Sequence, residues 1–153
     1  GRIAKDTGIM IAAIPRGAGK GPMSLGPMMI INENSGQFLL AAAGAGGVTV
    51  PTAVASVVAR TYLDDQSLDE AMRAPRVHHS GAPDVTYHEP TLSPDIITAL
   101  RKRGHRLAAT PQIGLVNVAH CFGGLPRDPA TCSLMNDPRG NGLTINALTE
   151  LEE

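Results

Sequence analysis

The sequence predicts an α+β fold with a mainly antiparallel sheet, and two observations carry that prediction. Two apolar runs of strand length, Met28 to Ile31 and Phe38 to Ala42, flank the polar, glycine-ended stretch Asn32-Glu33-Asn34-Ser35-Gly36, which is the pattern of a β-hairpin. Helical periodicity then takes over. Val50, Val54, Val57, Val58 and Thr61 recur at helical spacing, and Pro51 sits in the first turn, where its missing N–H is harmless. Strands thus precede and follow helices without an internal repeat or linker, and residues 1–153 are expected to form one domain.

The other elements follow in order. Gly8 to Ile14 reads as a first strand stopped by Pro15, and Arg16 to Pro22 as a loop. Gly44 to Gly47 is a turn into the Val-rich helix. Ser67 with Glu70 is a capping-box pair, so a second helix starts at Leu68. Ala74 to His79 is a turn or extended lead-in, and Val85 to His88 an edge strand. Ser93-Pro94-Asp95 opens a helix that runs to about Arg103 and stops at Gly104. Ile113 to Phe122 is the last strong strand, and the tail from Pro126 reads as turns, with acids at Glu150, Glu152 and Glu153.

Composition removes several function classes. Lys plus Arg total 13 against 14 Asp plus Glu, a formal net charge of -1, so there is no basic field for nucleic acid or an anionic membrane surface. Aromatic residues make up 3% with no Trp, which leaves no stacking platform for single strands. The uncharged part of 34–59 is broken by Gln37, a glycine turn and Pro51, and reads as core rather than a membrane span. Cys121 and Cys132 are too few for a disulfide scaffold; bridged and reduced states are equally open, and so is the compartment. A chain beginning at Gly1 is expected to be a processed piece of something longer.

Strand, glycine turn and helix over Phe38 to Thr61 form the unit with most chemical content. Backbone N–H groups of a glycine turn opening a helix can converge on negative charge. The dinucleotide spacing fails, because Thr49 stands where the third glycine belongs, and the phosphate-loop frame is missing around Gly17 to Gly21. An oxyanion in acyl transfer needs only two adjacent donors. Against this, glycine at such a turn more often serves close packing of strand and helix. His78 and His79, adjacent in an extended segment, point to opposite faces and suit structural roles better than a shared metal. His120, Cys121 and Cys132 lack zinc-site spacing. Asp64-Asp65 and Asp69-Glu70 read as a helix end and a helix start, not as a catalytic pair.

Pro22-Met23-Ser24-Leu25-Gly26-Pro27, the hairpin, Gly46-Gly47, the Val-rich helix and Ala74-Pro75-Arg76-Val77-His78-His79 occur in an order that resembles the small subunit of the gamma-glutamyltransferase and related acylase family. Ser93-Pro94-Asp95 with Arg103-Gly104-His105 is similar to that family's helix and following strand, and Asp137-Pro138-Arg139-Gly140 with Gly142 to its C-terminal signature. The resemblance implies part of a four-layer αββα N-terminal-nucleophile hydrolase fold. It also implies a precursor that cleaves itself to free a Thr whose α-amine is the base for attack on a γ-glutamyl amide. On that resemblance Gly46 and Gly47 are the catalytic oxyanion donors. Ser24 is a substrate-binding hydroxyl, and in a loop one residue shorter here the second hydroxyl is either deleted or replaced by the thioether of Met23. No cofactor and no metal are required. The partners are the remainder of the precursor, namely the large subunit and the nucleophile-bearing segment, and a small-molecule amide substrate.

Two departures from the family pattern shape expectations. The nucleophile Thr would lie before Gly1, so the 153 residues alone are expected to be inactive. The family's Asn-Asn-x-Met-Asp-Asp, whose polar groups hold the glutamyl amine, is replaced by Ala12-Ala13-Ile14-Pro15-Arg16-Gly17. The expected function is cleavage of γ-glutamyl amides such as glutathione with transfer to water or an amine. The alternatives are an acylase for glutaryl-type amides and an inactive homologue serving as a binding module.

Overall fold

The computed structural model describes residues 27–145 throughout and, of the segment before them, the backbone of the paired two-residue strands β1 (Arg2–Ile3) and β2 (Met10–Ile11). Most of the expected Gly8-to-Ile14 strand, the Arg16-to-Pro22 loop, and Ser24 and Met23 lie outside the described residues, as do the C-terminal acids.

The hairpin forms where the apolar runs place it. β3 (Met28–Ile31) pairs antiparallel with β4 (Phe38–Ala45), Met28 opposite Ala42 and Ile30 opposite Leu40. Its turn is closed by Asn32 N–H to Gln37 O at 2.8 Å and by the Asn32 side chain, which accepts from the N–H groups of Asn34 and Ser35, while Gly36 takes φ +68°. β4 runs three residues past the expected Ala42, so the turn begins at Gly46 and not at Gly44. Gly44 and Ala45 remain strand because both pair with β8 (Leu115–Leu125). β8 starts two residues later and ends three residues beyond the Ile113-to-Phe122 prediction. A strand unpredicted from the turn-rich tail, β9 (Cys132–Met135), follows a short 3-10 turn at Pro129–Thr131 and completes a sheet in the order β3-β4-β8-β9. Pairing with β8, rather than local pattern, makes it a strand, and Cys121 and Cys132 face each other in that register and are disulfide-bonded.

Helix α1 (Val50–Leu63) lies on one face of this sheet. Val50, Ala53, Val54 and Val57 form its buried stripe, at spacings of three and four residues, against Leu40, Ala42, Val116 and Val118. Helix α2 (Leu68–Arg73) adds Leu68, Ala71 and Met72 to the same core. Its predicted capping box is present: Ser67 Oγ accepts from Glu70 N–H and the Glu70 carboxylate accepts from Ser67 N–H.

A second sheet joins β5 (Val77–His79), β6 (Thr86–His88) and β7 (Leu107–Ala109) in that order. The edge position expected for 85–88 is therefore corrected. β6 is central, because the chain returns after helix α3 (Pro94–Lys102) and pairs β7 parallel to it. α3 begins at Ser93, whose Oγ accepts from Ile96 N–H, and ends before Gly104 at φ +91°, as its sequence signals indicate. No helix among the described residues is long and apolar enough to cross a membrane.

Candidate active site

The C-terminal end of β4 is built almost without side chains. A Cβ on Gly44 would lie 2.6 Å from Leu115 O and 2.9 Å from Val50 Cγ1, so only glycine lets strand and helix start approach this closely. Gly46, at φ +128°, rests on the backbone of Gly114, whose Cα would be 2.9 Å from a Gly46 Cβ. Gly114, itself at φ +63°, packs on Ala53 in the same way. Gly47 differs. It needs glycine for its φ of +67°, but no atom of the described residues lies within 4 Å of its Cβ position. Close packing therefore explains Gly44, Gly46 and Gly114, whereas no described residue crowds Gly47.

From Gly47 the chain enters a 3-10 turn (Gly47–Thr49) and then α1. Thr49 Oγ1 donates to Gly46 O at 3.0 Å, and Val50 N–H donates to Gly47 O. Both carbonyls are thus tied into the helix start. Among the described residues nothing accepts a hydrogen bond from Gly46 N–H. A glycine turn ahead of a helix N-terminus, with a backbone donor unpaired among the described residues, has the chemistry to face an anion.

Adjacent to this corner lies an arrangement that the sequence motifs contain but that their reading did not assign. Arg76, Glu89, Asp137 and Arg139 converge, and Arg76, Asp137 and Glu89 are 0%, 2% and 3% exposed. Arg76 Nη1 donates to Asp137 Oδ2 at 2.7 Å and reaches the carbonyls of Ile113 and Gly114, both at 3.2 Å. Asp137 Oδ2 also accepts from Val116 N–H at 2.8 Å. Arg139 grips Glu89 with Nε at 2.7 Å and Nη2 at 2.6 Å, and donates to Met72 O and Ala74 O. Glu89 accepts in addition from the N–H groups of Arg76 and Ile113. Two cations and two anions balance, which is what makes burial of Arg76, Glu89 and Asp137 beside the partly buried Arg139 tolerable. Burial alone would push both carboxyls up. For Glu89, hydrogen bonds from Arg139, Arg76 and Ile113 bring it below the ordinary carboxylate range; for Asp137, those from Arg139, Arg76 and Val116 do the same. The available signal was charge flanked by proline at two distant motifs, Pro75-Arg76 and Asp137-Pro138-Arg139. Nothing local says that they meet.

The histidine pair divides as its alternation requires. His78 is buried, with Nδ1 2.9 Å from Thr52 Oγ1 in α1 and Nε2 2.8 Å from Ser80 Oγ, and burial followed by the neighbouring His79 holds its pKa below the usual value. His79 is exposed, beside Asp84. Asp64 closes α1, and Asp69 and Glu70 open α2. No group of three or more metal-ligating side chains occurs among the described residues.

Antiparallel sheet, helical cover and the arrangement of the solved structures it matches define the class as an N-terminal-nucleophile fold. The gamma-glutamyltranspeptidase family model matches residues 15–146, and the chain belongs to that family. It is 32% identical over 93 residues to glutathione hydrolase proenzyme 1 of Schizosaccharomyces pombe, covering 61% of this chain and 15% of the relative. To the Escherichia coli glutathione hydrolase proenzyme it is 29% identical over 99 residues, 64% of this chain and 17% of the relative. Gamma-glutamyltranspeptidase of Helicobacter pylori, solved as a mutant, superposes with a TM-score of 0.68 at 25% identity, over 82% of this chain and 66% of that one. The Pseudomonas nitroreducens enzyme complexed with L-DON gives 0.70 at 23% identity, over 94% and 70%. The chain thus spans about a sixth of the length of these curated relatives.

Proposed function

We propose that residues 1–153 are a single domain, the C-terminal portion of the small subunit of a self-processing enzyme that cleaves γ-glutamyl amides such as glutathione. A Thr nucleophile of the parent protein attacks the amide carbonyl, its proton passing through the Thr α-amine to the departing amine. The C–N bond breaks, an acyl ester forms, and water or an acceptor amine then takes the acyl group. Gly46 and Gly47 donate N–H groups to the tetrahedral oxyanion, and Ser24, with Met23 beside it, positions the acyl chain. The observation that carries this reading is the Gly46-Gly47 corner, where Gly46 is packed on Gly114 and no described residue crowds Gly47.

The remainder of the precursor is the proposed partner. The sheet face away from α1 presents the cross-strand row Met29, Ala41, Ala119 and Leu134, with Met29 67% and Leu134 45% exposed. This row floors an apolar groove of about 520 Å³. Small alanines at its centre suit a second sheet layer at close approach. Names of the relatives as proenzymes fit the same division.

The test is release of the aniline from a chromogenic γ-glutamyl anilide. The processed parent protein should turn it over, whereas the 153-residue chain alone should not, since an oxyanion site without a nucleophile has nothing to stabilise. Sustained release proportional to the amount of homogeneous 153-residue chain would refute the assignment.

A second reading concerns the acyl group, and Ala12 to Gly17 favours it. An α-ammonium closed into a pocket without an acidic or amide partner is penalised by several kcal/mol, roughly. The segment offers apolar side chains, a proline ring and Arg16. The parent should accordingly show a higher kcat/KM for a glutaryl anilide than for the γ-glutamyl anilide. A clear preference for γ-glutamyl means that another acidic group replaces the missing anchor.

A further inference from the structure

The Arg76 and Asp137 pair reaches the glycine corner through backbone alone. Arg76 Nη1 fixes the carbonyls of Ile113 and Gly114, and Asp137 Oδ2 fixes the N–H of Val116, so one buried ion pair sets three peptide groups of the segment that leads into β8. That segment is the floor under the corner. Gly46 lies on Gly114 with no side chain between them, and Ala45 and Gly44 are laddered to Leu115 and Val116. Gly114 is further locked at φ +63° against Ala53 and Thr49 of the helix start. Close-packed backbone with no intervening side chain has no rotamer to absorb a shift, so a movement of Gly114 is passed to Gly46.

We infer that Arg76 and Asp137 are positioning residues for the acyl-transfer site, holding the N–H groups of Gly46 and Gly47 in register through Gly114; this rests on the oxyanion reading of that corner. Neither side chain touches substrate. Their influence should fall on the transition state, because a donor aimed at a developing oxyanion loses its value when displaced by a fraction of an ångström, while ground-state binding is made elsewhere. Glu89 and Arg139 buttress the pair from the far side, with Arg139 Nη1 3.3 Å from Asp137 Oδ1.

The experiment uses the processed parent protein and the γ-glutamyl anilide, with rates normalised to the burst of acyl-enzyme and measured well below each variant's Tm. Asp137→Asn keeps the side-chain shape but replaces one acceptor oxygen by a donor amide. It should lower kcat at least tenfold and change KM less than threefold. Arg76→Lys keeps the charge facing Asp137 but lacks the planar guanidinium whose Nη1 reaches both carbonyls while Nη2 is held by Met72 O, and should show the same kcat-selective loss to a smaller degree. Leu68→Ala, a core truncation outside the hydrogen bonds that reach Gly114, should lower Tm and leave kcat unchanged. Unaltered kcat in both ion-pair variants overturns the inference. So does a kcat loss that Leu68→Ala reproduces at equal Tm, and so does failure of both ion-pair variants to fold, which would mark the pair as purely structural. Gly47→Pro in the same assay separates the two levels. If it is slow while Asp137→Asn is fast, the corner is catalytic but not held by this pair; if it too is fast, the reading of the corner itself is wrong.

Discussion

Gly47→Pro in the processed parent protein is expected to lower kcat by at least a few hundredfold while leaving KM within a few-fold. Proline removes the Gly47 N–H outright, and loss of one oxyanion donor typically costs about 3 kcal/mol of transition-state stabilisation. The backbone adds to this. Gly47 sits at φ +67° and proline is restricted to about −65°, so the turn must rearrange and carry the Gly46 N–H with it. Gly47→Ala separates the two contributions. It keeps the N–H and places its methyl where no described residue lies within 4 Å, at a conformational cost of about 1 kcal/mol for an L-residue in the left-handed region. Its effect should appear mainly in KM, through crowding of the open space, with a much smaller fall in kcat. Circular dichroism establishes that each variant is folded. Equal kcat values for wild type and a folded Gly47→Pro would place the oxyanion site elsewhere.

Local pattern was sufficient for elements whose signals are themselves local. The hairpin, the Pro51 helix start, the Ser67 capping box and the Ser93-to-Gly104 helix are each specified by a few adjacent residues, and each forms where those residues stand. Elements defined by partners distant in sequence were read less well. β9 is a strand because β8 lies beside it, and β6 is central because β7 returns parallel after α3. The glycine corner shows the same division. Gly46-Gly47 is visible as a turn, but the sequence does not say which of the two rests on another backbone; Gly114, from a segment 68 residues away, makes that contact with Gly46. Likewise Arg76, Asp137 and Arg139 stood out as motif residues, yet their pairing spans 61 residues and has no periodicity to betray it.

That pairing also sets the expected acid sensitivity of the protein. Glu89 is almost fully buried and accepts four hydrogen bonds, from the N–H groups of Arg76 and Ile113 and from Nε and Nη2 of Arg139. Glu89→Gln turns one of its oxygens into a donor that faces other donors, and leaves the partly buried Arg139 charge without its main partner. Breaking one side of a buried pair costs about 3–5 kcal/mol, so the Tm of the parent protein should fall by several degrees, far more than for a charge removed from the exposed Asp69–Arg73 pair. The pH dependence follows from the direction of the shifts. Burial raises both carboxyls, but the hydrogen bonds they accept lower them further, so Glu89 and Asp137 titrate below their unfolded values when the protein is folded. The unfolded chain therefore takes up protons first as the solution is acidified. The stabilisation is complete above an unfolded carboxyl value of about 4 and is lost progressively as pH falls toward the depressed folded values. Wild-type protein should lose Tm steeply as the pH falls below about 4, toward the depressed folded values. Glu89→Gln, already lacking one of the two carboxylates, should be less stable at pH 7 and show a shallower decline in that window. The measurement is Tm against pH for both proteins, and parallel curves would mean that Glu89 carries no linked protonation and that the four-charge cluster does not govern acid unfolding.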